Sequence, residues 1–256
     1  MNLEQQVKHL DKHYRDGNPI VSDKKFDILE KKLYEMHPES DYFTNRNALP
    51  LPSLEKDPVE DFLDGLDQDE QIVIEPKIDG CAVAIEYRNG KINHAITRKG
   101  KDITDKMKRI KTVPLTVPTK DTIQVRGELY ADIGYGKIKP GDGAKSQRIA
   151  AGYLRSKSFD PNPMLKFSAF QIINAEIDQW DALSLLRKMG FKQHNCCLIA
   201  VQTLIQSFEI HQGDIKNWYK TELPTDGIVV KINDYKLQQT RPDYWQMAIK
   251  HYECQK

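Results

Sequence analysis

The sequence predicts an α+β protein that begins with a small helical module, and three observations support that class. Apolar residues recur at three- and four-residue intervals over residues 1–36, which is the period of amphipathic helices. After Gln71 the period changes to two, as in β-strands. Asn89-Gly90, the strongest two-residue hairpin signal in the chain, joins two of these strands and therefore predicts antiparallel pairing.

The helical module is expected to be a hairpin of two helices, over about residues 3–14 and 22–36. Asp16-Gly17-Asn18-Pro19 separates them, because glycine and proline interrupt a helix. Ser22 is the expected N-cap of the second helix, and His37-Pro38 ends it.

Prolines 50, 52 and 58 predict an extended linker over residues 47–58. We therefore divide the chain into residues 1–60, with the helices and the linker, and residues 61–256, with the sheets. Strands are expected at 72–74, 81–88, 91–98, 122–130, 166–173 and 227–232. Further helices are expected at 180–189, ending at Gly190, and at about 202–218.

The composition is that of a globular protein, with 39% hydrophobic residues, 29% charged residues and a mean hydropathy of −0.63. No apolar run approaches the roughly 18 residues of a membrane-spanning helix, and the N-terminus lacks a signal-peptide core. We expect a cytoplasmic protein with no membrane partner. The four cysteines lack paired Cys-x-x-Cys spacing, which excludes a zinc module.

The net charge of +1 conceals an uneven distribution along the chain. Residues 1–76 carry 18 acidic and 9 basic side chains, whereas the remaining residues carry 19 and 29. A polyanionic partner is therefore expected on the C-terminal two-thirds of the chain.

Lys77 is the candidate nucleophile. It lies between a strand and the first hairpin strand, so we expect it on a short loop at the mouth of a sheet. An amine attacks only when it is neutral, and nearby cations at Arg98, Lys231 and Lys250 would lower its pKa if the fold brings them together. The alternative is that Lys-x-Asp-Gly is a surface turn with a solvated lysine, and the motif alone does not separate the two.

Five segments, taken together and in order, resemble the motifs of the covalent nucleotidyltransferases, the superfamily of polynucleotide ligases and RNA capping enzymes. They are residues 75–80, 97–100, 126–129, 226–232 and 245–250. Three further features resemble one branch, the NAD-dependent DNA ligases. These are the N-terminal His13-Tyr14, Asn18-Pro19, Val21-Ser22-Asp23 and Phe26-Asp27, the linker Pro52-Ser53-Leu54, and the segment at 148–155 that begins Arg148-Ile149-Ala150-Ala151 and ends at Arg155.

This resemblance implies a nucleotidyltransferase domain of antiparallel sheets flanked by helices, preceded by a module that binds nicotinamide mononucleotide (NMN). Lys77 would attack the α-phosphorus of NAD, expel NMN and carry AMP as a lysyl phosphoramidate. The AMP would then pass to the 5′-phosphate of nicked double-stranded DNA for sealing.

The resemblance also assigns roles to the other motif residues. Glu75 and Lys231 would contact the adenine edge, Glu128 and Arg98 the ribose, and Lys250 the α-phosphate. A preplaced ammonium and a Mg²⁺ ion would stabilise the charge that grows on the phosphate oxygens.

Asp79 and Asp226 would orient Lys77 or hold the magnesium ion. The nicotinamide half of NAD would contact the helical module, and the linker would add to the cofactor site. The residues implied are His13, Tyr14, Asp23, Phe26, Asp27, Ser53 and Leu54.

A basic surface is expected to bind the DNA, because residues 98–111 hold seven cations against two aspartates. A solvated loop is the alternative interpretation. The residues predicted to contact DNA are Lys106, Lys108, Arg109, Arg148 and Arg155.

The sequence departs from the family at three points. Thr97-Arg98-Lys99-Gly100 stands where relatives have Thr-Arg-Gly-Asp-Gly, and Phe26 replaces a tyrosine, which predicts weaker NAD binding. Relatives also continue into an oligonucleotide-binding (OB) barrel, a zinc finger and helix-hairpin-helix repeats. We therefore expect self-adenylation without efficient sealing by this polypeptide alone, and a second polypeptide that carries the OB-fold region.

Two other functions stay open from the sequence. One is an RNA ligase or capping-type transferase. The other is an inactive DNA-binding regulatory subunit, against which the intact Lys77, Glu128, Lys231 and Lys250 argue.

Overall fold

The computed structural model describes residues 2–15, 20–37, 40, 42, 59–63, 65–133, 142–173, 175–192, 194–210, 221–240 and 245–250. These residues form eight helices and two four-stranded antiparallel sheets, which confirms the predicted α+β class. Within the described part of the chain, no helix has the length and apolar character needed to cross a membrane.

The N-terminal helices are α1, Leu3–Arg15, and α2, Asp23–Met36, as predicted. The Ser22 hydroxyl accepts a hydrogen bond from the backbone N–H of Lys25, which is the expected N-cap contact. The two helices bury one apolar core between them. It contains Val7, Leu10, Phe26, Leu33 and Tyr42.

The first sheet has the strand order β6-β1-β7-β8. Its strands are β1, Gln71–Ile78; β6, Cys197–Ala200; β7, Thr225–Ile232; and β8, Gln246–Lys250. Apolar side chains on one face, such as Ile74 and Val230, pack against Phe62 of α3, Val59–Leu63, and Leu204 of α7, Val201–Ile210. The other face is therefore free to face the second sheet.

The second sheet has the strand order β3-β2-β4-β5. Its strands are β2, Cys81–Arg88; β3, Lys91–Thr97; β4, Ile123–Ala131; and β5, Leu165–Ile172. Asn89 and Gly90 have φ values of 49° and 73°, which confirms the predicted hairpin turn. The remaining helices are α4, Thr104–Met107; α5, Asp142–Arg155; α6, Gln179–Lys188; and α8, Tyr235–Thr240.

The structure corrects the predicted position of Lys77. Instead of a loop, Lys77 lies within β1, which continues to Ile78, and it pairs with Gly227 of β7. Pro76 fits this strand because β6 pairs with β1 only as far as Ile74, so β1 is an edge on that side at Pro76. Val73 of β1 packs into the core of the second sheet. Because side chains alternate along a strand, Glu75 and Lys77 lie on the same face of β1 as Val73.

Other boundaries differ from the prediction by a few residues. The helix expected at 202–218 begins at Val201 and is described as far as Ile210. Residues 211–220 and the predicted linker at 47–58 lie outside the described residues. The sequence patterns did not predict strands β6 and β8 or helices α3, α4, α5 and α8.

Lys106 is buried, which corrects its predicted place on a DNA-binding surface. Only 7% of the residue is exposed. Its ammonium donates to the carbonyl oxygens of Tyr153, Ser156 and Ser158 at 2.6, 2.9 and 2.8 Å, and lies over the Tyr153 ring. Lys106 thus caps the carbonyl end of α5 and is not available to a phosphate.

We predict that Lys106→Met lowers the free energy of unfolding by about 3 kcal/mol, because the carbonyl groups of Tyr153, Ser156 and Ser158 lose a charged donor. Urea denaturation measures this loss. The matched control is Lys108→Met, an exposed residue two positions away, with an expected change within about 0.5 kcal/mol. Equal stabilities of the two variants would contradict the capping role of Lys106.

Candidate active site

A cavity of about 470 Å³ lies between the two sheets. It brings together most of the residues that the motifs predicted. Predicted residues in its lining are Glu75, Lys77, Asp79, Arg98, Glu128 and Lys231. The lining also contains residues to which the sequence analysis assigned no role, namely Arg126, Gln147, Ser168, Phe170, Gln171 and His194.

Two lysines share one carboxylate at the edge of this cavity. The Lys77 ammonium lies 2.6 Å from Oδ1 of Asp226, and the Lys250 ammonium lies 3.4 Å from Oδ2. Strand register produces this cluster, because Lys77 pairs with Gly227 and Gly227 pairs with Lys250 on the next strand. The candidate nucleophile is thus positioned by an acid and accompanied by a second cation.

Two glycines permit the close strand approach that the site needs. A Cβ atom at Gly227 would lie 2.1 Å from the carbonyl oxygen of Ile249, so a side chain there would displace β8 and Lys250. A Cβ atom at Gly80 would lie 2.3 Å from the carbonyl oxygen of Leu129. The glycines of the two Asp-Gly motifs therefore have a steric role in addition to their turn propensity.

A buried ion pair lies deeper in the cavity. The Lys231 ammonium lies 2.8 Å from Oε1 of Glu75 and donates to the carbonyl oxygen of Phe170 at 3.1 Å. Gln179 of α6 donates to the same Glu75 oxygen and to the same carbonyl, both at 2.8 Å. Burying two charges is favourable only with such additional hydrogen bonds, so the Glu75 carboxylate is held in one orientation.

Acidic groups at the mouth of the cavity have raised pKa values. Burial raises the pKa of Glu128 to about 8, with a further contribution from Asp79, although Lys77, the Gly80 N–H and Arg98 oppose it. Burial and the neighbouring carboxylate of Asp226 raise the pKa of Asp79. Glu128 therefore keeps its proton at neutral pH and can donate a hydrogen bond.

Asp226 does not fit its predicted role as a magnesium ligand, because both of its oxygens face lysine ammonium groups. No group of three His, Cys, Asp or Glu side chains suited to a metal occurs among the described residues. Cys196 and His194 line the cavity, but burial raises the pKa of the Cys196 thiol to about 12 and lowers that of His194 to about 4. Both are neutral near pH 7.

The structure describes only some of the residues that are predicted to contact the nicotinamide half of NAD. Phe26 is 5% exposed and packs in the core of α1 and α2, and its predicted cofactor contact stays a prediction. The His13 ring contacts the ring of His9 with 4.7 Å between their centroids. Ser53, Leu54 and the side chains of Tyr14, Asp23 and Asp27 lie outside the described part.

Four of the five predicted DNA-contact residues are exposed. Arg148 and Arg155 lie on α5, whose Gln147 lines the cavity. Lys108 and Arg109 follow α4, and the Arg109 guanidinium lies 5.6 Å from the centre of the Phe159 ring. The basic surface, by which we mean Lys108, Arg109, Arg148 and Arg155, excludes Lys106.

Comparison with protein families decides the identity of the domain. The model of the NAD-dependent DNA ligase adenylation domain matches residues 54–250. The chain belongs to this family. The family match agrees with the resemblance that the sequence motifs indicated. The two antiparallel sheets and the cavity lined by Lys77 are consistent with it.

Curated relatives of this adenylation domain are whole DNA ligases. The DNA ligase of Fervidobacterium nodosum is 28% identical over 295 aligned positions, which cover 94% of this chain and 43% of the relative. The DNA ligase of Mycoplasma genitalium is 27% identical over 293 positions, covering 95% and 44%. This chain thus spans less than half the length of these relatives.

A solved structure described as Pmar-Lig_Pre has the same fold. It superposes with a TM-score of 0.50 at 14% identity, covering 90% of this chain and 51% of that chain.

We predict that the Glu128→Gln variant is more stable than the unmodified chain, by a margin that grows as the pH rises from 4.5 to about 8. The unfolded chain loses the Glu128 proton near pH 4.5, whereas the folded protein keeps it to about pH 8, so stability falls over this range. The variant should gain about 4 kcal/mol in free energy of unfolding at pH 8 and less than about 0.5 kcal/mol at pH 4.5.

Glu86→Gln is the control, with the opposite sign. Although burial opposes them, hydrogen bonds from Asn93, Gln124 and Arg88 lower the pKa of Glu86. Its replacement should therefore reduce stability at neutral pH and have little effect in strong acid. If the difference in free energy of unfolding between Glu128→Gln and the unmodified chain did not change with pH, the fold would not be keeping the Glu128 carboxyl protonated.

Proposed function

We propose that this chain performs the adenylation step of an NAD-dependent DNA ligase, with Lys77 as the nucleophile and temporary carrier of AMP. The observation that supports this most strongly is the position of Lys77, in the lining of the cavity and 2.6 Å from Asp226. Family membership supports NAD as the AMP donor.

The proposed step forms one bond and breaks another. Neutral Lys77 attacks the α-phosphorus of NAD, so that an N–P bond forms while the P–O bond to the NMN phosphate breaks. The nitrogen loses a proton, and NMN leaves as the phosphate monoester. Asp226 is the nearest described acceptor for the proton that Lys77 must release before attack, and it aligns the amine.

Cations at the same end of the cavity stabilise the charge of the transferring phosphate. Lys250 is 3.4 Å from Asp226, and Arg98 lines the cavity. Because transition-state charge grows on the phosphate oxygens, preplaced cations lower the barrier more than they strengthen ground-state binding.

The deeper end of the cavity binds adenine in this proposal. Glu75 is fixed by Lys231 and Gln179 through one carboxylate oxygen. Its carboxylate accepts from the exocyclic amine of adenine, which selects adenine over bases with a carbonyl at that position. Protonated Glu128 donates to a ribose hydroxyl.

The helical module, residues 1–60, is proposed to bind the nicotinamide half of NAD through His13, Tyr14, Asp23 and Asp27, and residues 61–256 to form the transferase unit. Magnesium and a second polypeptide with the OB-fold region stay predictions from the family resemblance. Nicked double-stranded DNA is the proposed AMP acceptor, as the names of the relatives suggest.

Intact-mass measurement after incubation with NAD and Mg²⁺ tests the proposal. We expect a gain of one AMP on the unmodified chain, reversal of that gain by added NMN, and no gain on Lys77→Ala. Lys91→Ala, an exposed lysine at the start of β3, is the matched control and should gain AMP normally. AMP on Lys77→Ala, or none on the unmodified chain, would refute the assignment.

The basic surface yields a separate prediction. Arg148→Ala and Arg155→Ala should each weaken binding to nicked duplex and reduce the slope of log K against log salt by about 1, as expected for one lost phosphate contact. Fluorescence anisotropy over a salt series measures both quantities. Lys188→Ala on α6 is the control and should leave the slope unchanged; equal slopes for all variants would place the DNA elsewhere.

A further inference from the structure

Arg126 is a buried cation in the wall of the nucleotide cavity that the proposed mechanism does not use. It lies on β4, paired with Ala84 of β2 and Gln171 of β5, and alternation places it on the same face as Glu128. Only 7% of the residue is exposed, yet it belongs to the cavity lining.

The guanidinium of Arg126 is only partly satisfied. One terminal nitrogen donates to Oε1 of Gln171 at 3.1 Å. The Nε atom has no hydrogen-bond partner, and it is the one buried side-chain nitrogen or oxygen in this condition within the described part of the chain. Burial lowers the pKa of Arg126 to about 10, with no contribution from any described carboxylate.

Such an arrangement is unfavourable in an empty cavity. Buried polar groups are nearly always hydrogen-bonded, and a buried charge without an acidic partner is costly. Nε itself is buried, but Arg126 belongs to the cavity lining, so a ligand acceptor that enters the cavity is the group that can pair with the remaining donors of this guanidinium.

The position along β4 indicates which part of the nucleotide this acceptor belongs to. Arg126 is two positions from Glu128, about 7 Å along the strand, so Arg126 is displaced from the Lys77 end where the phosphate and ribose are proposed to bind. The lining next to it includes Phe170 and Gln171, beside the Glu75–Lys231 pair. This is the base end of the cavity.

We propose that Arg126 is a specificity-determining residue of the base pocket, whose guanidinium donates to an acceptor ring nitrogen of the bound adenine. Adenine carries acceptors at N1, N3 and N7 beside its amino group. Glu75 and Arg126 then read complementary features, the first an amine and the second a ring nitrogen. The inference rests on the proposed function, because it assumes an adenine nucleotide in this cavity.

Calorimetric titration with AMP and with its 1-deaza, 3-deaza and 7-deaza analogues tests this contact without requiring the chemical step. Each analogue replaces one ring nitrogen by a C–H group. On the unmodified chain, one analogue should bind about tenfold or more weakly than AMP, as expected for a lost hydrogen bond to a charged donor. On Arg126→Met, AMP itself should weaken by a similar factor, and the penalty of that analogue should disappear.

Two outcomes would overturn the inference. One is that all three analogues bind the unmodified chain as tightly as AMP. The other is that the analogue penalty is the same in Arg126→Met, which would assign the contact to another residue. If Arg126→Met does not fold, Arg126→Leu serves instead, since it also removes every guanidinium donor; a retained analogue penalty there also overturns the inference.

The same titrations separate this inference from the proposed function. AMP binding without any analogue penalty refutes the role of Arg126 alone. Failure of the unmodified chain to bind either AMP or NAD refutes the proposed function, and the Arg126 contact with it.

Discussion

One carboxylate shared by two ammonium groups is the interaction on which the site depends. Asp226 holds Lys77 at 2.6 Å and Lys250 at 3.4 Å, where the first sheet borders the cavity. A lysine is a useful nucleophile only if its nitrogen is fixed near its target and can release a proton. Asp226 fixes the nitrogen, and in the proposed function it also accepts that proton. Lys250 brings a positive charge to the place where a phosphate would accumulate negative charge.

The fold creates this cluster through strand register and close packing. Adjacent strands carry Lys77, Asp226 and Lys250, and Gly227 lets β8 approach β7 to a distance that a Cβ atom would prevent. Deeper in the cavity, Gln179 of α6 donates a hydrogen bond that fixes the buried Glu75–Lys231 pair. One end of the cavity thus has the two lysines that share Asp226, and the other end has the buried Glu75–Lys231 pair.

Local signals predicted much of the fold. The Ser22 cap, the apolar spacing of α1 and α2 and the Asn89-Gly90 turn act over a few residues, so the sequence alone reveals them. Family motifs predicted the Lys77 neighbourhood for the same reason. Strand β6 has only four residues, too few for a periodic pattern.

Burial was the quantity that the sequence could not supply. Lys106 stands in a run of exposed cations, and only the three-dimensional packing of α4 against α5 shows that it is a helix cap. Arg126 belongs to a motif segment, yet only the fold shows that it is a buried part of the cavity wall. The family motif indicated that Phe26 contacts the cofactor, whereas only the fold shows that it packs in the apolar core of α1 and α2.

The most direct test of this account is the single-turnover rate of AMP transfer to Lys77 in the Asp226→Asn variant at saturating NAD. The amide cannot accept the lysine proton and pairs weakly with two ammonium groups. We expect the chemical step to slow by about a hundredfold or more, with little change in the NAD concentration needed for half-saturation. A rate within about twofold of the unmodified chain would contradict the central role of the shared carboxylate.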